Sequence, residues 1–182
     1  MKPIKPKKCK EPDCKKVYQP VRPLQSFCSI ECAIKDARKK TVKKEAIKDK
    51  EVKKGLLTHK DYLKALQVVF NTFIRVRDSD LPCISCGTTK PVKYDAGHFY
   101  SVGGYPNVRF DEDNVHKQCS NYCNVNLSGN IHEYTLQLPK RIGEVRFEAL
   151  KERAHQYNGK LSIPEIEDKI KYYRNLIKIM KK

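Results

Sequence analysis

No stretch of this 182-residue chain approaches the roughly 18 consecutive apolar residues that a membrane-crossing helix needs. The opening MKPIKPKKCK holds no apolar core of a signal peptide, so neither a transmembrane span nor a secretory leader is expected, and the chain is read as intracellular. Hydrophobic residues make up only 39% against 32% charged, which leaves a modest core for this length. Bound metal is therefore expected to stand in for part of the missing apolar burial. Acidic side chains are scarce too: 21 Asp and Glu face 38 Lys and Arg, a net charge of +17. There is no internal repeat beyond two cysteine modules, and no low-complexity tract outside a lysine-rich arm.

The positive charge is unevenly placed. Residues 1–60 carry 19 Lys and Arg against 7 Asp and Glu, or +12 of the +17. Such a segment calls for a polyanion, and nucleic acid is the first candidate, because each neutralised phosphate releases condensed counterions. A membrane surface is the weaker partner, since no broad apolar face backs the basic run.

Eight cysteines fall into two groups of four. In a reducing compartment this argues for two metal sites over disulfides. Cys9 and Cys14 are followed, after a gap, by Cys28 and Cys32; each pair fits a tight knuckle, and the intervening segment lets the knuckles face each other around a tetrahedral Zn2+. Ser29 is placed to cap a helix that carries Cys32 in its first turn, an arrangement similar to a zinc ribbon or treble clef. The second group is Cys83 and Cys86, in a C-x2-C-G knuckle whose Gly87 relieves the turn, with Cys119 and Cys123.

Between the groups, residues 33–55 are helix-forming without a sustained apolar stripe. They read as a solvated connector and as an arm able to follow a phosphate backbone through Arg38, Lys39, Lys40, Lys43 and Lys44. Thr58 with Asp61 predicts a helix start, and Leu63, Leu66, Val69, Phe70, Phe73 and Ile74 continue it amphipathically to about Asp78. His59 is read as a surface residue. Val92 to Tyr100 predicts an extended run, Asn107 to Phe110 a returning strand, and a helix near Cys119 or Ser128 completes strand, strand, helix. Ile142, Val145, Phe147 and Leu150 predict a further short helix, and Ser162 with Glu165 caps the last one. His132 and His155 fall on predicted helices in packing or surface roles.

The fold expected is small α+β: a zinc-stapled ββα-metal core surrounded by helices, with an N-terminal zinc module and a basic helical linker. The boundaries expected are 1–34 for the four-cysteine module, 35–57 for the linker, 58–158 for the zinc-stabilised domain and 159–182 for a C-terminal helix.

Within the core, Gly97-His98, Asn114 and Cys119-x3-Cys123-Asn124, preceded by Cys83-x2-Cys86, resemble the HNH or ββα-metal nucleases. DAGHFYSVGG, RFDEDNVHKQC and CNVNLSGNIHEY, with the cysteine-rich N-terminus and the basic arm, resemble more closely the phage lambda NinG (Rap) recombination proteins, over nearly the whole chain. The resemblance implies a metal-dependent endonuclease acting on branched recombination intermediates in a bacterial host cell, with DNA and other recombination proteins as partners. It casts Asn114 as the residue fixing the His98 ring or its loop, and Asn124 as a ligand of catalytic Mg2+ or Mn2+. Alternatives are a non-catalytic double-zinc DNA-binding protein and a sequence-specific HNH endonuclease. Cutting two strands symmetrically would suit a homodimer.

Phosphodiester hydrolysis needs a base for water and a cation for the phosphate. His98 suits the base because imidazole titrates near neutral pH. Two departures from generic HNH enzymes bear on the cation. The acidic ligand that usually precedes the base is Gly97 here, and Asp95 lies two residues earlier on the same strand face. The cysteine pair is spaced by three residues where two are usual: if the extra residue bulges outside the knuckle, Asn124 keeps its place, and otherwise Asn126 substitutes. His116 is a further candidate ligand, or a hydrogen-bonding support of the knuckle.

Overall fold

The fold is that of a computed structural model describing residues 4–156 and 159–182, the Lys53 side chain excepted. Residues 1–3 of the expected 1–34 module and 157–158 of the expected 58–158 domain lie outside the described residues. The chain is small α+β and divides into two compact units, Met1–Leu57 and Thr58–Lys182. None of its helices, among the described residues, is long and apolar enough to cross a membrane.

In the first unit, strands β1 (Lys7–Lys8) and β2 (Val17–Tyr18) pair antiparallel, and helix α1 runs from Ile30 to Gly55. Ser29 starts α1 as expected, its hydroxyl accepting from the Cys32 amide at 3.2 Å. Residues 41–52 of α1 are exposed throughout, which agrees with the missing apolar stripe.

The second unit is built around two helices and a hairpin. Helix α2 (His59–Arg77) opens with the Thr58/Asp61 capping box, and helix α5 (Ile163–Met180) opens with that of Ser162 and Glu165. Leu66, Phe70, Phe73 and Ile74 of α2 meet Ile166, Ile170 and Tyr173 of α5 in one core. Tyr173 stands edge-on to Phe70, with centroids 5.0 Å apart. Residues 159–182 thus share the core of residues 58–156. His59 is tied in as well, its Nε2 lying 2.7 Å from the Leu161 carbonyl at the mouth of α5.

The sheet pairs β3 (Tyr94–His98) with β4 (Val115–Cys119) antiparallel, in a register that sets Asp95 opposite Gln118, Gly97 opposite His116 and His98 opposite Val115. The returning strand is therefore not Asn107 to Phe110. Pro106–Val108 forms a single 3-10 turn there, because proline has no amide to give a ladder. The Asn107 amide is also drawn to the carbonyls of Arg153, Ala154 and Gln156 at the end of helix α4 (Glu144–His155). Side chains alternate across β3, so Ala96 and Val115 face the α2/α5 core. On the opposite face His116 meets Tyr134 of helix α3 (Ile131–Ile142). A second core of Ile84, Val108, Tyr134, Leu138, Phe147 and Leu150 fills that side.

Candidate active site and metal centres

Both cysteine groups assemble. The sulfur atoms of Cys9, Cys14, Cys28 and Cys32 lie within 4.8 Å of one another, as do those of Cys83, Cys86, Cys119 and Cys123. In the first group Cys14 Sγ and Cys32 Sγ each lie 3.6 Å from Cys28 Sγ, and in the second Cys86 Sγ is 3.7 Å from Cys119 Sγ. A tetrahedron with Zn–S bonds of about 2.3 Å has edges of about 3.8 Å, so both sets fit a Zn2+ ion. Main-chain amides point at the sulfurs: Cys28 N at Cys9 Sγ (3.4 Å), Cys119 N at Cys83 Sγ (3.3 Å) and Cys123 N at Cys119 Sγ (3.4 Å). Such donors favour thiolate. Burial pushes the Cys9 thiol up, but the amides of Cys28 and Glu11 bring it down to about 7. Gly87 turns the second knuckle at φ +69°, and the Ile84 amide fastens it to the Lys117 carbonyl of β4 at 3.0 Å.

The extra residue between Cys119 and Cys123 is absorbed by a widened π-type turn, Ser120–Asn126. Asn124 emerges half-buried with its Nδ2 donating to Asp95 Oδ2 at 3.2 Å, while the Ser120 hydroxyl donates to the same oxygen at 2.5 Å. Asn126 is exposed. The residue pair that sequence spacing left uncertain, Asp95 and Asn124, is thus brought together, and Ser120 joins it without any motif to announce it. With its amide nitrogen on Asp95, Asn124 has its Oδ1 left over. The amide nitrogen of Asn124, not its oxygen, thus faces the carboxylate; carboxylate and amide oxygens are hard donors of the kind Mg2+ and Mn2+ take.

His98 ends β3 on the face opposite Asp95. Its Nε2 lies 3.0 Å from the Arg109 carbonyl; since a carbonyl only accepts, a ring proton sits there. Burial pushes the imidazole below its ordinary pKa, the Arg109 charge adds to this, and the carbonyls of Arg109 and Ala96 offset part of it. The ring is neutral near pH 7 and can accept a proton. Nothing in the sequence marks Arg109, because its contact to His98 is made by main chain, where residue identity carries no signal.

Asn114 is fully buried. Its Oδ1 accepts from the Tyr100 amide at 2.7 Å and its Nδ2 donates to the carbonyls of Tyr100 (3.1 Å) and Val108 (2.9 Å). It ties down the loop from which Arg109 reaches His98. His116 is buried, with Nδ1 3.1 Å from the Tyr134 hydroxyl, which donates in turn to the Gly97 carbonyl at 3.1 Å. Burial drives its pKa down to about 3. Its described hydrogen bond is to the core and none joins it to Asp95 or Asn124.

Gly97 has a steric reason. A Cβ there would sit 2.4 Å from Gln118 Oε1 and 2.9 Å from Gln118 Cβ. Gln118 is fully buried, its amide donating to Ser85 Oγ (2.6 Å) and Gly129 O (2.5 Å), while its Oε1 has no conventional partner. That oxygen fills the space a side chain at residue 97 would need.

Of the basic arm, Lys39 is engaged by Glu11 (2.5 Å) and Asp13 (2.6 Å) of the same unit, and Lys40 by Asp36 (2.6 Å). Arg38, Lys43 and Lys44 are exposed and form no ion pair among the described residues.

Two four-cysteine groups able to hold Zn2+, one of them at the base of the β3–β4 hairpin that carries His98 and His116, define a small α+β protein with two candidate metal sites. The sequence matches the family described as "Bacteriophage Lambda NinG protein" over residues 1–182. The chain belongs to the NinG family. It is 34% identical to Protein ninG of Escherichia phage lambda over 192 aligned positions, covering 93% of this chain and 94% of that one. It is 37% identical to Protein ninG of Salmonella phage P22, over 75% and 76% of the two chains. No solved structure matches.

Proposed function

We propose that the second unit is an HNH-type, metal-dependent endodeoxyribonuclease whose β3–β4 hairpin and following turn form a ββα-metal core, and that the first unit is a zinc-ribbon or treble-clef-like DNA-binding module. The observation that carries this reading is His98: a neutral imidazole at a strand end, with one nitrogen fixed on a loop that Asn114 locks. His98 would act as the base that deprotonates water. Asp95 and Asn124, on the face of β3 opposite His98, would hold Mg2+ or Mn2+, which would supply charge stabilisation at the phosphate and the leaving 3′ oxygen when bound. The substrate class proposed is branched DNA, such as junction, D-loop or flap intermediates of phage recombination in a bacterial cytoplasm, with recombination proteins as partners and a homodimer for paired cuts. Arg38, Lys43 and Lys44 supply phosphate contacts.

The test incubates zinc-loaded protein with junction, flap and linear DNA, with Mg2+ or Mn2+ supplied. Cleavage of branched DNA by the wild type, its loss in His98→Ala with binding kept, and its loss in Asp95→Asn with zinc content unchanged are the expected results. Inertness on all three substrates would sink the reading. Gly97, with Gln118 filling the place of the usual acidic ligand, favours the second reading, a double-zinc DNA-binding protein without catalysis. Binding without cleavage in wild type and His98→Ala alike would establish it, and cutting at fixed sites in linear duplex would indicate a sequence-specific enzyme.

A further inference from the structure

Arg109 contributes to the His98 site twice, and only the first contribution is absorbed by the reading above. Its carbonyl takes the His98 proton at 3.0 Å. Its side chain turns to α2, where Nε donates to Gln67 Oε1 at 2.6 Å and the guanidinium lies 5.0 Å from the Phe110 ring. Gln67 is fixed in turn by its amide on Asn71 Oδ1 at 2.7 Å. The fork is therefore held by its Nε edge, while Nη1 and Nη2 have no hydrogen-bond partner among the described residues. Arg77 and Arg153 differ, since each closes on carboxylates. A half-buried guanidinium with a neutral anchor and two free terminal nitrogens is shaped to grip two oxygens of one phosphate. Its charge is felt at the base, because it joins burial in lowering the His98 pKa.

We infer that Arg109 is a phosphate-binding residue: Nη1 and Nη2 hold a DNA phosphodiester beside His98, with Gln67 and Asn71 as positioning residues. The placement of that phosphate as the scissile one rests on the nuclease reading; the phosphodiester site does not. Arginine at this position is preferred to lysine because the fork, anchored at one edge, loses little freedom on binding.

The test uses full-length, zinc-loaded protein. Thymidylyl-thymidine, a single phosphodiester, is titrated while the Arg109 Nε–H and the His98 ring are followed by NMR. Arg109→Gln and Arg109→Lys both keep the main-chain carbonyl that orients His98. The wild type should show both groups perturbed, with affinity falling at least about tenfold in Arg109→Gln and partly restored in Arg109→Lys. On junction DNA, Arg109→Gln should lower the single-turnover rate about 100-fold with Kd for the junction within about threefold. It should also move the acid limb of the pH–rate profile upward, which a merely structural role would not do. Gln67→Met should give a smaller loss in the same direction, and it carries the test with Arg109→Lys if Arg109→Gln does not fold. Dinucleotide that leaves the wild type unperturbed, or perturbs Arg109→Gln equally, overturns the inference, and a cleavage rate unchanged in Arg109→Gln overturns the placement of that phosphate as the scissile one. Wild type that binds the dinucleotide through Arg109 yet cuts no DNA overturns the nuclease reading and leaves the phosphate site standing.

Discussion

Asn114 grips both main-chain polar atoms of Tyr100, accepting from its amide at 2.7 Å and donating to its carbonyl at 3.1 Å. Replacement by Ala leaves both Tyr100 groups unpaired in a half-buried setting, while the Val108 carbonyl keeps only the Asp111 amide at 3.2 Å. Each such loss costs on the order of 1–3 kcal/mol, so Asn114→Ala should lose about 3 kcal/mol in urea unfolding. Zinc content should stay at the wild-type level, because the loop and the knuckles are separate.

Gly97→Asp would offer a carboxylate at the usual HNH position, yet it should be destabilised by about 2 kcal/mol or more, since Gln118 already fills that space. Adding Gln118→Ala should recover much of the loss. A double-mutant cycle by thermal or urea unfolding measures the coupling, and purely additive effects would show that the clash is not the cause.

Two metals per chain are expected by elemental analysis, and Co2+ substitution should show thiolate charge-transfer bands for both sites. Because the two four-cysteine groups fall in different units, Cys83→Ser should remove one metal and abolish the cooperative unfolding of residues 58–182. Cys9→Ser should remove one metal and leave that transition in place.

His116 provides a pH signature. Its folded pKa, about 3, lies below the ordinary value of 6.5, so the unfolded chain binds the extra proton in between. Its contribution to stability is fully present above about pH 6.5 and declines as pH falls toward 3, with a slope of up to about 1.4 kcal/mol per pH unit. His98, lowered in the same direction, adds to the slope. His116→Gln should flatten the acid side of the stability profile relative to wild type. Parallel profiles would contradict the burial of a neutral imidazole there.

The basic arm should respond unevenly. Replacing Arg38, Lys43 and Lys44 by Gln should weaken binding to any DNA sequence and reduce the salt slope by about 2 to 3. Lys39→Gln should act chiefly on the first unit, because Lys39 satisfies Glu11, which is buried at 3% exposure. Fluorescence anisotropy across a salt series separates the two effects.

What was legible in the sequence followed from local rules. The capping residues Thr58 and Ser162, the α2 stripe and both sets of cysteines are set by spacing alone, and the structure places each as spacing predicts. Asn107 to Phe110 has strand-like composition, but its conformation is decided by Asn107 reaching the end of α4, some 46 residues away. The π-type turn that brings Asn124 to Asp95 was open between two outcomes, since a three-residue gap between cysteines fits more than one knuckle. Arg109 and Gln118 were invisible for another reason: one works through its carbonyl, and the other through the space it fills.

Helix α1 is fastened at its start, through Ser29, Cys32 and Lys39, and lies bare to water from residue 41 to residue 52. At 1.5 Å per residue it extends about 39 Å, and from residue 41 to residue 52 its side chains are exposed, so that stretch is held chiefly by its own hydrogen bonds. Its far half therefore obeys helix–coil statistics. Heat shortens it continuously, and a polyanion that quenches repulsion among its lysines lengthens it. Calorimetry of DNA binding should accordingly contain an enthalpy of helix formation that grows with temperature, as more of the arm is left to be wound by the encounter.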